Sequence, residues 1–266
     1  MSSEKTFRDQ APGATGVDLN HPARARFEIV DADRGVIRPA NGESWRKKFA
    51  ICGFAASTRM MAPFDDPEYL LVGLNQLYRH TPRADIWFDI HDNWFADNVE
   101  GTDHAGWLRD SGMPVFMCQR DARIPTAVNY PVDEVIRRVV GADYFTSTVA
   151  FMLGWAIMMI DDQVEAETEL WQREFDAKIE RGEQTDRPNA QKLLAWQKDR
   201  YAEREIAIFG IDLVVGEEYD FQKACVEYVL GLANARGITV RIPPQSALLK
   251  QRWRYGYFRE PDNQLV

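Results

Sequence analysis

Short apolar runs recur along this chain, and most close on a glycine or a polar cluster. They occupy residues 48–53, 69–73, 85–91, 114–118, 205–210 and 238–242. Most are built on a continuous apolar stretch rather than an alternation, the pattern of strands covered on both faces and paired in parallel. Residues 27–37 add a short strand and a turn. Between the runs lie segments with helical spacing. Residues 54–61 carry Ser57 and Thr58 as caps, and 101–111 and 131–140 follow. Residues 144–160 open on Thr146-Ser147-Thr148, and 219–236 close at Gly237. Five or six strands alternating with helices predict an α/β fold with a doubly wound, mostly parallel, Rossmann-like sheet.

The composition changes at residues 161–204, which are dense in Glu, Gln, Lys, Arg and Trp and broken once, at 182–188. Leu170, Phe175 and Ile179 on one side, with Leu193, Leu194, Trp196 and Tyr201 on the other, fit an antiparallel helical hairpin. It reads as an insertion, either a lid over a site or a surface for pairing with a second copy. Residues 1–25 lack periodicity and read as a loosely held arm. The expected organisation is an arm at 1–25, then a nucleotide-binding domain at 26–266 carrying the hairpin 161–204.

Charge and cysteine usage narrow the setting. The 266 residues hold 41 acidic against 32 basic side chains, a net charge of −9. That balance argues against a surface that binds nucleic-acid phosphates all over, but leaves room for a local basic strip. Cys52, Cys118 and Cys225 are widely spaced and form no CxxC pair, so a disulfide framework and a cysteine zinc site are not expected. A reducing cytoplasm is the expected compartment. The apolar run 149–160 is too short to span a bilayer, and no membrane partner is expected.

The candidate chemistry lies where strands end. Gly53 lets the chain turn sharply after the first core strand, and a helix beginning near Ser57 would offer N–H groups to a phosphate. An ordinary strand-to-helix turn has the same pattern. Asn75-Gln76 can read a base edge or a phosphate, or can form a turn. Asp89, His91, Asp92 and Asn93 place an imidazole among carboxylates, a setting for general acid–base work, for a divalent cation, or for a structural histidine. Thr146 and Ser147 can bind an anion or cap a helix. Asp212 follows the strand that ends at Gly210 and can take a ribose hydroxyl or a metal. In the tail, Lys250, Arg252, Trp253, Arg254, Tyr255, Tyr257 and Arg259 interleave basic and aromatic groups, which suits a nucleic-acid strand or packing onto an acidic body. His21, His80 and His104 have no evident companions. No GxSxG or HExxH motif is present.

In order, these stretches resemble the bacterial sialyltransferase fold. Gly53-Phe54-Ala55-Ala56-Ser57 matches its first loop, Asn75-Gln76-Leu77-Tyr78 a strand end, Thr146-Ser147 a helix start, and Gly210-Ile211-Asp212 a late strand end. The layout is also similar to a Rossmann-like group that includes pterin pyrophosphokinase-like proteins. It looks closest to phage-encoded members with stretches like Trp87-Phe88-Asp89-Ile90-His91 and Glu218-Tyr219-x-x-Gln222. The resemblance spans roughly residues 48–250, interrupted by 161–204. It implies a glycosyltransferase-like enzyme with a nucleotide-sugar donor and no required metal. Gly53, Ser57, Asn75, Gln76, Thr146 and Ser147 would hold the donor. The family's base is a histidine beyond the Gly-Ile-Asp stretch; this chain has none there, so His91 or Asp212 would serve. In a phage setting the acceptor would be a hydroxymethylated base in DNA, guided by Arg241, Arg252, Arg254 and Tyr255. Two alternatives stand beside this reading. One is a magnesium-dependent pyrophosphokinase-type transfer with Asp89, His91, Asp92 and Asp212 as ligands. The other is a non-enzymatic nucleotide-binding or phage interaction protein, with the hairpin as a partner surface or homo-oligomer contact.

Overall fold

A computed structural model describes residues 16–91, 103–184, 186–213 and 217–249, with backbone alone at 217–220. A hairpin of β1 (Phe27–Asp31) and β2 (Val36–Pro39) precedes the core and pairs antiparallel. The core strands are β3 (Lys48–Cys52), β4 (Tyr69–Leu74), β5 (Ile86–Phe88), β6 (Val115–Met117), β7 (Ala127–Asn129), β8 (Glu205–Phe209) and β9 (Thr239–Arg241). They form one seven-stranded sheet in the order β7-β6-β5-β4-β3-β8-β9, with every pairing parallel. The fold is a doubly wound, Rossmann-like α/β sheet. Its strands are more numerous than the apolar runs suggest, because β7 has only three residues and its alanine, valine and asparagine make no distinctive run.

Helices cover both faces. Trp87 and Phe88 are neighbours on β5 and therefore point to opposite sides. On one side Trp87 meets Trp107 of α1 (His104–Asp110) edge-on at 4.6 Å. On the other, Phe88, Phe116 and Phe49 surround Trp155 at 5.8, 5.2 and 6.0 Å between ring centroids. Trp155 lies on α3 (Thr148–Glu180) and is fully buried. Helix α5 (Glu217–Arg236) packs beside α3 and next to β9. The remaining helices are α2 (Val132–Val135), which runs into a π-type turn, and α4 (Ala190–Ala202).

Two expectations change here. The arm is partly integrated, since Val17 N–H donates to the Tyr78 carbonyl and Ala25 N–H to Asp85, with Ala23 and Ala25 buried. Residues 1–15 lie outside the described residues. The 161–204 segment is also not separate from the helix expected at 144–160. One continuous helix, α3, supplies both the buried span and the first arm of the hairpin. Its buried positions run from Val149 to Thr168 and then stop, and α4 has no buried residue.

The direction of α3 decides where the hairpin points. The helix starts beside the carboxyl ends of the strands, where Thr146 Oγ1 donates to the Phe221 carbonyl. It reaches the amino ends at Gln163, whose side chain donates to the carbonyl of Arg46, just before β3. Everything beyond projects from the amino-end rim. The base of the hairpin is pinned there by Tyr201 and Arg236 on Asp161 and by Arg204 on Glu167. A lid over the carboxyl ends does not fit this direction.

Candidate functional site

The sheet order reverses once. From β3 the chain steps outward through β4, β5, β6 and β7, then returns to place β8 on the other side of β3. In such sheets the loops on either side of the reversal, here those after β3 and β8, bound the crevice that is the usual ligand position.

Two glycines shape this crevice. A methyl group on Gly53 would lie 2.5 Å from the Gly210 carbonyl oxygen, and one on Gly210 would lie 2.3 Å from that of Gly53. Gly210 also has φ +67, a left-handed backbone that glycine adopts without cost. The loops are laced together by Gly53 N–H to the Phe209 carbonyl, Ala55 N–H to the Gly210 carbonyl, and Gly210 N–H to Thr58 Oγ1 at 2.7 Å. Gly53 thus serves the close approach of two loops.

Across the crevice Ser57 donates its hydroxyl to Asp212 Oδ2 at 2.6 Å. The other carboxylate oxygen accepts from Ala247 N–H at 3.1 Å, and Ser246 fastens the same loop to the Ile211 carbonyl. A short O–H···O⁻ contact of this kind is charge-assisted and fixes the carboxylate's orientation.

The helix expected after Gly53 is absent. The segment forms turns and a single 3-10 turn, Arg59–Met61, and the Thr58 side chain caps nothing. Pro63 drives Ala62 into extended backbone (φ −63, ψ 146), so the loop has no length left for a helix. An N-terminal helix dipole therefore does not point into this loop.

The second group of expected residues lies two strands along. Asn75 follows β4 in a left-handed conformation (φ 49). Its carbonyl accepts from Trp87 Nε1 at 3.0 Å and its side-chain nitrogen faces His91 Nε2 at 3.5 Å. The Asn75 Oδ1 atom is buried without a hydrogen-bond partner among the described residues. Gln76 follows as the residue before the 3-10 turn Leu77–Arg79, and its side chain caps nothing there.

His91 and Asp212 do not converge. They follow β5 and β8, three strand spacings apart, or about 14 Å at the usual separation. Asp89 does not serve His91 either. It is buried and accepts from His104 Nε2 at 2.6 Å, with Tyr78 stacked on the imidazole at 5.7 Å. His104 thus has a partner that its sequence neighbours gave no sign of, because α1 carries it back over β5. Asp89, His91 and Asp212 therefore do not gather into one ligand set, and Asp92 lies outside the described residues. Among the described residues no cluster of three metal-ligating side chains is present.

Thr146 and Ser147 are both engaged within the protein. Ser147 is the N-cap of α3, its hydroxyl accepting from Ala150 N–H, while Thr146 holds the first part of α5. Arg241 reaches Tyr69 and Glu205 at the amino ends, away from the crevice. Arg252, Arg254 and Tyr255 lie outside the described residues.

Three groups at the crevice were not singled out from the sequence. Burial pushes the Cys52 thiol, at the end of β3, up to about 12, so it is no thiolate at neutral pH. Arg59 is 6% exposed. His80, half-buried, is held below its ordinary value by burial and by the charges of Arg59 and Arg79. Arg59 did carry a signal: it is the sole charge in the otherwise small and apolar stretch 53–64.

No protein-family model, curated protein or solved structure matches this chain. Among the described residues no helix is long and apolar enough to cross a membrane.

Proposed function

We propose that the protein is a nucleotide-sugar-dependent transferase of glycosyltransferase type. The supporting observation is the carboxylate of Asp212 at the switch point, oriented by Ala247 and already accepting a hydroxyl from Ser57 at 2.6 Å. An acceptor alcohol in the place of the Ser57 hydroxyl meets a base at hydrogen-bonding distance. Its proton passes to Asp212, its oxygen bonds to the anomeric carbon, and the nucleotide phosphate leaves with the electrons of the broken bond. Ser57 would then turn to the donor. Asn75, whose Oδ1 has no partner among the described residues, and Gln76 would read the nucleotide. Thr146 and Ser147, at the carboxyl-end rim, would flank it. His91 is the base in a variant of this reading centred on β5. A hydroxymethylated base in DNA is the proposed acceptor, with Arg252, Arg254 and Tyr255 guiding the strand. The test is a melting-temperature panel of nucleotides and nucleotide sugars, followed by sugar transfer to hydroxymethylated DNA. A rise of several degrees with one nucleotide class is expected; no shift with any of them overturns the reading.

A second reading rests on the hairpin. Leu170 and Leu194 are 57% and 66% exposed, while Trp171 and Trp196 stack at 5.2 Å between the two arms. The outer part of α3 carries Glu169, Glu174, Asp176 and Glu180 against Arg173 and Lys178. Helix α4 carries Lys192, Lys198 and Arg200 against Asp199. An acidic arm beside a basic one suits a two-fold pairing of two copies, each α3 arm on the other's α4. Light scattering on the full chain is expected to give a dimer, and Leu170→Glu with Leu194→Glu a monomer with unchanged nucleotide binding. A monomeric wild type rejects this pairing.

A further inference from the structure

Three arginines of the described residues are buried, and two are matched by carboxylates. Arg83 is paired with Asp85 and also donates to three backbone carbonyls. Arg204 is paired with Glu167 and Glu203. Arg59 differs. Its one side-chain hydrogen bond among the described residues is from Nη1 to the Phe54 carbonyl, at 2.6 Å. Its Nε is buried with no partner, and no carboxylate lies within ion-pair distance among the described residues. Nε and Nη2 form the edge that Arg123 presents to both oxygens of Asp121. On Arg59 that edge is unused.

A buried cation without a counter-charge is costly, because the interior does not replace the water it has lost. Here the cost falls at the switch point. The Arg59 Cβ lies 3.1 Å from where a Gly210 methyl would be, and Thr58 beside it binds Gly210 N–H. His80 stands edge-on to the Phe54 ring at 6.5 Å and adds a second group that becomes cationic on protonation. The edge geometry of a guanidinium matches two oxygens of a phosphate.

We propose that Arg59 is the phosphate-binding residue of this crevice, taking two oxygens of a phosphate or diphosphate group through Nε and Nη2, with His80 alongside. The ligand class is a phosphorylated small molecule. The inference rests on the reading of the crevice as a nucleotide site, and it replaces the missing helix N-terminus with a side chain as the source of positive charge. Phosphate binding supplies the absent counter-charge and raises the affinity of His80 for its proton, against the opposing charges of Arg59 and Arg79.

The test uses the full chain, inorganic pyrophosphate as probe, and Arg59→Met, Arg59→Lys and the surface control Arg173→Met. Calorimetry is expected to show binding to wild type and to the control, weakened at least tenfold in Arg59→Met and less in Arg59→Lys. The imidazole resonances of His80 should report a higher pKa with pyrophosphate in wild type and an unchanged one in Arg59→Met. Arg59→Met should melt no lower than wild type, since it removes an unmatched charge. Equal pyrophosphate binding by wild type and Arg59→Met overturns the proposal, as does no binding by wild type or a markedly lower melting temperature in Arg59→Met. Nucleotide sugars that bind wild type and Arg59→Met equally leave the transferase reading intact and reject the role of Arg59. Pyrophosphate binding through Arg59 without binding of any nucleotide sugar does the reverse.

Discussion

Asp85→Ala is expected to cost about 3–5 kcal/mol, the usual loss when one partner of a buried ion pair is removed. The Asp85 carboxylate is fully buried and serves four groups at once. It accepts from Ala25 N–H and Leu71 N–H, both at 2.8 Å, and it pairs with Arg83 at 2.8 Å and Arg46 at 3.4 Å. Removing it strands two backbone donors and leaves Arg83, which has no exposed side-chain surface, without its counter-charge. Such a loss is a large part of the roughly 5–15 kcal/mol that holds a domain together. The contacts also tie the segment before β1 to the amino ends of β4 and β5, so the damage should spread across that rim. Urea unfolding followed by far-UV circular dichroism measures the change as a lower midpoint at an unchanged slope. Asp85→Asn keeps one oxygen as acceptor and should fall between wild type and alanine. A loss below about 1 kcal/mol for alanine would mean that water enters and replaces the carboxylate.

Asp212→Asn should lower sugar transfer by a factor of about 10²–10⁴, the range for loss of a positioned general base. The amide keeps the size of the side chain and an oxygen for Ala247 N–H, so the melting temperature should hardly move. Ser57→Ala leaves Asp212 in place and should raise the KM for the donor while keeping most of kcat. His91→Gln separates the two candidate bases. With the base at β8 it has a small effect, and with the base at β5 it carries the large loss while Asp212→Asn does not. Ligand binding measured alongside distinguishes a lost base from a lost site. Unchanged turnover in Asp212→Asn would remove Asp212 from the chemistry.

Much of the sheet is legible from pattern alone. Phe49-Ala50-Ile51 and Ile206-Ala207-Ile208 are continuous apolar runs because both faces of a central parallel strand are covered, and they do lie side by side. Ser147 and Gly237 mark a helix start and a helix end by their own backbone chemistry. Local signals fail where partners are distant in sequence. Ser57 meets Asp212 across 155 residues, and Asp89 meets His104 rather than the nearby His91. The helix expected at Ser57 is lost to Pro63 and to a loop braced against Gly210, a tertiary contact that outweighs capping propensity.

The chain by itself determined an α/β sheet with polar clusters at its strand ends, because the period and length of apolar runs are properties of neighbouring residues. Tertiary structure decided the rest. The strand order separates His91 from Asp212, and the continuity of α3 carries the hairpin to the opposite rim from the crevice. Burial with no carboxylate at ion-pair distance among the described residues turns Arg59 from a single charge in an apolar loop into a buried cation beside Gly210. Each depends on which distant segments pack together, and packing is settled by the burial of the whole core rather than by any local stretch.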